Sequence, residues 1–172
     1  SFRYDSAAVE ALERRFLLSS GEIVGAVRHV TSDERDRLRI ELLSEEAMRT
    51  SAIEGEVLDR GSVQASLRRQ FGLISDDVAS RPKEQGVAEM MVDVYSTYAE
   101  PLTHDTLSRW HGMLLAHDRG LETIGAYRRH IDAMQIVSGR IDRPTVHFEA
   151  PPSAQVQGEM DVFVDWFNRT AP

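Results

Sequence analysis

The stretch TSDERDRLRIELLSEEAMRTSAIEG, residues 31–55, decides the fold because it contains the longest uninterrupted helical pattern of the chain. Thr31 and Glu34 have the spacing of a capping box, in which each side chain bonds the backbone of the other at a helix start. No glycine or proline interrupts residues 32–54, and Gly55 follows as a natural stop. The pattern therefore predicts one long helix.

Apolar residues recur at helical spacing on both sides of this helix. Shorter helices are predicted near residues 6–18 and 62–70. Three later stripes predict three more helices with one face in a core: Val87, Met90, Met91, Val94, Tyr95 and Tyr98; Leu107, Trp110, His111 and Leu114; and Val156, Met160, Phe163, Val164 and Phe167. The aromatic and methionine side chains of these stripes, and Trp166 beside the last one, are expected to pack.

One segment departs from the helical pattern. Residues 133–149 contain Met-Gln-Ile-Val, a turn-rich stretch and Thr-Val-His-Phe, which is typical of a short β-hairpin. Because a lone two-stranded hairpin is marginally stable, we expect it to lie against the helices or against a molecule that it binds. The predicted fold class is all-α, a helical bundle with a small β-hairpin flap.

The residues from Gly72 to Pro82 include Ser75, Asp76 and Asp77 and read as a connection. They divide the chain into a predicted N-terminal helical domain, residues 1–75, and a second part, residues 76–172.

Composition excludes several classes of function. The chain has 20 basic and 28 acidic residues, a net charge of −8, which disfavours nucleic acid and anionic membranes as partners. It has no cysteine, which excludes disulfides and thiol chemistry, and no apolar run of the roughly 20 residues that span a bilayer. No signal peptide is recognisable, so we expect a cytoplasmic protein, and the opening serine suggests a trimmed start.

We find no catalytic constellation and predict no metal site. The six histidines lack a helical metal-binding spacing and are expected to have structural or exposed roles, and neither common nucleotide-binding glycine motif occurs.

The end of the long helix carries a more specific pattern. Thr50 lies four residues before Glu54, so both share a helix face and the hydroxyl can orient the carboxylate, while Gly55 follows directly. One interpretation is a plain helix end with a glycine cap. The other is a site, because a carboxylate at a helix C-terminus opposes the dipole unless it has a partner.

The run Thr50-Ser-Ala-Ile-Glu54-Gly55 resembles the inhibitory-helix motif of Fic-domain proteins, in the class whose inhibitory helix precedes the catalytic domain. Residues 125–128, Gly-Ala-Tyr-Arg, with residues 134–137, Met-Gln-Ile-Val, and residues 147–152, His-Phe-Glu-Ala-Pro-Pro, resemble the Fic flap and its flanks. The segment from Phe2-Arg-Tyr-Asp to Arg60 resembles the helical domain often found ahead of Fic. The resemblance covers nearly the whole chain.

The resemblance implies a helical Fic-like fold and an autoinhibited protein adenylyltransferase, which transfers AMP from ATP, with Mg²⁺, to a hydroxyl of a target protein. It implies that Glu54, in the motif with Thr50 and Gly55, pairs with an arginine of the catalytic motif and so blocks productive ATP binding. It also implies that the flap residues bind the target backbone by strand addition: Gln135, Ile136 and Val137.

This sequence lacks the family's catalytic motif, HxFxxGNGRxxR, so no catalytic residue is assigned in it and the chain alone is expected to be inactive. We expect the parent protein to continue beyond Pro172. Dimers are common in the family, so a homodimer is an open expectation. A different class also stays open, in which the chain is a non-catalytic helical binding or regulatory module.

Overall fold

A computed structural model describes residues 5–73, 79–140 and 142–170. Within them lie six helices and one antiparallel hairpin, in the order α1 Ser6–Val27, α2 Ser32–Ile53, α3 Arg60–Gln70, α4 Pro82–Thr97, α5 His104–Leu115, β1 Gln135–Arg140, β2 Arg143–Glu149 and α6 Ser153–Thr170. The predicted fold class, all-α with a small β flap, is confirmed.

The long helix forms as its termini predict. Thr31 Oγ1 accepts a bond from the backbone N–H of Glu34 at 3.3 Å, and Glu34 Oε2 accepts one from the N–H of Thr31 at 3.0 Å. These two bonds complete the capping box. The Thr31 hydroxyl also donates to Glu34 Oε2 at 2.8 Å, and this bond, together with the one from the Thr31 N–H, lowers the pKa of Glu34. The capping box therefore sets where α2 begins.

The core lies between α2, α3 and α4. Apolar side chains from the three helices and from the segment between α2 and α3 are buried together: Ile40, Leu43, Ala47, Leu58, Val63, Leu67, Val87, Ala88 and Met91. Glu84 is buried beside them, and its Oε1 accepts a bond from the backbone N–H of Asp59 at 3.0 Å. The carboxylate thus fixes the segment between α2 and α3 against α4.

The fifth helix crosses the fourth at Gly86. A methyl group on Gly86 would overlap the carbonyl oxygen of Met113, so only glycine permits this close approach of α4 and α5.

The stripe predicted from Val87 to Tyr98 is only partly in the core, because Met91 is buried whereas Tyr98 is 82% exposed. Trp166 and Phe167, which we also expected to pack, are exposed on α6.

The first helix is longer than predicted. It continues nine residues past Leu18, through Gly21 and Gly25, to Val27. Single glycines weaken a helix without necessarily ending it, and the local pattern does not reveal which glycine will end it.

The predicted connection of residues 72–82 lies partly outside the described residues, at 74–78, and the domain division at residue 75 stays a prediction.

The hairpin has the predicted strands with one irregularity. Gln135 pairs with Glu149 and Ile136 with Phe148, and the register then shifts between Ile136 and Val137. Every described residue of both strands is exposed. We expected the hairpin to lie against the helices or against a bound molecule. Packing of the strands against the helices is not observed.

Candidate functional site

The predicted inhibitory motif lies where α2 stops. Glu54 is the last half-helical residue, and Gly55 follows with a left-handed φ of 78°. The N–H of Gly55 bonds the carbonyl of Ala52 at 3.1 Å, and the N–H of Glu56 bonds that of Ser51 at 2.8 Å. This pair of bonds is a Schellman motif, which needs a residue that tolerates positive φ. Gly55 thereby fixes the position of Glu54.

The carboxylate of Glu54 is exposed and has no hydrogen bond or ion pair with any described residue. Thr50 is exposed too, and no bond joins its hydroxyl to Glu54 within the described structure. The expected orientation of the carboxylate by the hydroxyl is thus not observed. Glu54 is held through its backbone, and its charge is available to another group.

A cavity of about 310 Å³ opens beside this helix end. Thr50 and Ser51 of α2 line it with Glu54, which follows α2 directly. The middle of α4 and the end of α5 supply most of the opposite wall: Val87, Met90, Met91, Leu114 and Leu115. Lys83, His117 and Asp118 complete its polar edge, where Lys83 forms an ion pair with Glu56. Asp118 accepts a bond from the backbone N–H of Gly120, whereas Glu54 has no described partner. The cavity therefore presents the Glu54 carboxylate beside an apolar wall, which suits a group with a cationic end.

A polar network holds α2 on α3 farther back along the helix. Arg60 donates to Glu41 and, at 2.8 Å, to Glu45, and Arg49 donates to Glu45 at 2.6 Å. The hydrogen bond from Arg60, aided by that from Arg49, lowers the pKa of Glu45. These exposed ion pairs orient the two helices more than they stabilise them.

The flap residues lie on the first strand of the hairpin. Gln135, Ile136 and Val137 are all exposed, and Gln135 Nε2 donates to Glu149 Oε2 at 2.6 Å. The described sheet has only two strands, so one edge of β1 is free of strand partners within it. An exposed strand with an open edge can accept an added strand from another chain.

The base of the hairpin is tied to the helices by His104 and His111, for which the sequence predicted no specific role. His111 Nδ1 accepts a bond from the N–H of Gly125 at 2.9 Å, and His104 Nδ1 lies 2.8 Å from the Tyr127 hydroxyl. On its other side His104 contacts Asp161 of α6 at 2.9 Å. Burial, with the nearby Asp161 charge, raises the pKa of Tyr127.

Arg128 closes the base of the hairpin. Its guanidinium donates to Ser153 Oγ at 2.9 Å and to the carbonyl of Pro151, while Ser153 donates to the carbonyl of His130. The Gly-Ala-Tyr-Arg run was the available signal for this arrangement, although its spacing does not indicate which residues it contacts. The hairpin is therefore exposed along its length and fastened at its base.

The predicted inhibitory motif and the predicted flap residues do not form one site. Thr50 and Glu54 line the cavity, whereas no described strand residue does. The described residues contain no group of three or more His, Asp or Glu that could hold a metal ion. Among the described helices, none is long and apolar enough to cross a bilayer.

Comparison with known proteins finds a similarity for part of the chain. Residues 1–73 match the sequence model of a domain of unknown function, DUF4172. The matched range holds α1, α2 and α3, with Thr50, Glu54 and Gly55, and it excludes the hairpin. No curated protein matches the chain.

Proposed function

We propose that this chain is the regulatory and target-docking part of an autoinhibited, cytoplasmic protein adenylyltransferase that uses ATP to modify hydroxyl side chains of a target protein. The observation that carries the proposal is the carboxylate of Glu54, which lacks a described partner and is held beside a cavity by the Gly55 motif. A carboxylate in that position suits an arginine, which binds carboxylates through two parallel hydrogen bonds.

The residues of this chain do not provide a binding site for ATP and Mg²⁺. The glycine-rich motif that would cradle phosphates is absent from the sequence, and no described acidic or histidine cluster suits a metal ion. In the proposal, groups outside these 172 residues bind the nucleotide and the metal. Glu54 pairs with an arginine that would otherwise bind the nucleotide phosphates, and the hairpin positions the target protein.

The test compares full-length wild type with Glu54→Gln, using labelled ATP and counting label on protein. Loss of the competing charge is expected to raise labelling roughly 10- to 100-fold, the equivalent of one charge-assisted bond regained by the nucleotide. Glu56→Gln is the matched control, because Glu56 lines the same cavity but already pairs with Lys83. Equal labelling by wild type and Glu54→Gln would refute the role of Glu54.

The second candidate is a non-catalytic binding module, which is supported by the exposed hairpin and its open β1 edge within the described sheet. In this case the purified chain would bind a separate enzyme and change its activity. Unchanged binding after Glu54→Gln, without labelling by any variant, would support this function over the first.

A further inference from the structure

A second and larger hollow, which we call the α2 groove, runs along α2. Its volume is about 830 Å³, within the range of small-molecule binding sites. The α2 residues that line it extend from Arg35 to Thr50, which is about 22 Å of helix. Thr50 lines both this groove and the cavity beside Glu54. The groove therefore has the size and length of a site for an elongated ligand.

Apolar side chains from three parts of the fold line the α2 groove. Leu38 and Leu42 of α2 are 46% and 68% exposed. Phe71, which follows α3, and Val92 of α4 line the groove opposite them. Burial of apolar surface of this kind favours binding, because it removes that surface from water. The α2 groove thus offers a path for an apolar chain.

Two guanidinium groups mark one end of the α2 groove. Arg35 and Arg39 lie one turn apart on α2, both line the groove, and both are exposed. Neither side chain forms an ion pair with a described residue. The guanidinium of Arg39 lies over the Phe71 ring, 4.7 Å from its centroid. This cation–π contact positions Arg39 and leaves its N–H groups able to donate to an anion.

The acidic side chains of the α2 groove already have partners. Glu45 accepts a bond from Arg49 at 2.6 Å, and Glu46 accepts one from the Tyr95 hydroxyl. The unpaired charge of the described lining is therefore positive, and it lies at the end where α2 begins.

We propose that the α2 groove binds a free single-chain amphiphile with a carboxylate head, of the fatty-acid class. The head pairs with Arg35 and Arg39, because a guanidinium binds a carboxylate through two parallel hydrogen bonds. The tail extends from there along Leu38, Leu42 and Val92.

The distribution of charge favours this ligand over larger partners. An acidic helix of another protein carries charges along its length, whereas the unpaired cations of the described groove lie at one end. The net charge of −8 disfavours an anionic membrane surface, but a small anion is held by a few local groups. The inference is independent of the proposed enzymatic function.

The first test titrates the purified protein with dodecanoate, below its micelle concentration, by isothermal titration calorimetry. One saturable site per chain is expected. Decanoate, which has two methylene groups fewer, is expected to bind roughly 10-fold more weakly. Dodecylammonium has the same tail with a cationic head, and it too is expected to bind at least roughly 10-fold more weakly.

Three results of this titration would overturn the proposal. The first is an absence of saturable binding, which a groove covered by α1 in solution would also produce. The second is equal affinity for dodecanoate and dodecylammonium, which would exclude recognition of the carboxylate. The third is equal affinity for dodecanoate and decanoate, which would exclude burial of the tail.

The second test locates the head of the ligand. Arg35→Gln and Arg39→Gln are each expected to raise the dissociation constant of dodecanoate roughly 10-fold, through loss of a charge-assisted hydrogen bond. Arg37→Gln is the matched control, because it changes the net charge equally but Arg37 does not line the groove. Equal weakening by all three variants would show a general charge effect and overturn the site.

The third test locates the tail. Leu42→Gln is expected to raise the dissociation constant of dodecanoate roughly 5- to 10-fold, because it removes apolar surface from the groove. Leu18→Gln is the matched control, since Leu18 of α1 is 66% exposed and does not line the groove. Equal weakening by both variants would show adsorption to exposed apolar surface instead of a site. Circular dichroism checks that each variant stays helical.

Discussion

The carboxylate of Asp93 accepts a hydrogen bond from the indole N–H of Trp110, with 2.6 Å between Oδ2 and Nε1. Arg109 donates to the same oxygen at 2.8 Å. One aspartate on α4 therefore holds two neighbouring side chains of α5, and it does so on the helix pair that forms the far wall of the cavity beside Glu54.

This aspartate makes the stability of the fold depend on pH. Burial raises the pKa of Asp93, but the bonds from Arg109 and Trp110 outweigh that effect and lower the pKa below its ordinary value. The ionised group therefore stabilises the fold above the ordinary aspartate pKa, and this contribution is lost as the pH falls through the folded-state value.

We expect Asp93→Asn to lower the free energy of unfolding at neutral pH by about 1 to 2 kcal/mol, the worth of a hydrogen bond to a charged group. Urea unfolding at several pH values measures it, and the difference from wild type should shrink under acidic conditions. Asp165→Asn, on the exposed face of α6, is the control. A difference that stays constant into acid would contradict the role assigned to the charge.

The crossing of α4 and α5 predicts opposite effects for two glycines. Gly86→Ala should lower the free energy of unfolding by about 1 to 3 kcal/mol, because its methyl group overlaps the backbone at Met113. Gly112→Ala should raise it by about 0.5 to 1 kcal/mol, because nothing lies near that position of α5 and alanine favours helix. Thermal or urea unfolding of both variants measures the two changes in the free energy of unfolding. Changes of the same sign would contradict the close approach of α4 and α5 at Gly86.

Loss of the Arg128 clamp should loosen the hairpin without unfolding the helices. Arg128→Gln removes the bonds to Ser153 and Pro151, so amide hydrogen exchange in residues 135–149 should become faster. Arg129→Gln is the control, since Arg129 is exposed and forms no described bond. Unchanged exchange in the Arg128 variant would show that the strands hold themselves in place.

Proline at Ile136 and Val137 should block target modification in the full-length protein while ATP binding persists. Proline has no N–H to donate to an added strand, so docking is lost although the nucleotide site is untouched. Labelling of target and nucleotide binding are measured on the same preparation. Target labelling that survives both prolines would exclude strand addition on β1.

How much of the fold was predictable from the sequence depends on how far apart the interacting residues lie along the chain. The start of α2 was predictable because Thr31 and Glu34 satisfy each other within one helical turn. The hairpin was predictable from two short extended runs around a turn. The length of α1 was not, because whether Gly21 or Gly25 ends a helix depends on more than the local pattern.

The surroundings of the candidate site were less predictable than its residues. The sequence placed Thr50 and Glu54 on one helix face, but the cavity beside them exists because α4 crosses α5 at Gly86, far along the chain. The bond between His111 and Gly125 likewise joins a helix to a segment without regular structure. Pairings of this kind depend on tertiary packing and leave no periodic pattern.

The different surroundings of the two tryptophans give the chain two separate optical reporters. Trp110 is half-buried and bonded to Asp93, whereas Trp166 is 52% exposed beside Phe163 on α6. A collisional quencher such as iodide should therefore dim Trp166 emission preferentially. Any molecule that covers α6 would shield that signal and leave Trp110 unchanged, so binding at this face is readable from intrinsic fluorescence without a label.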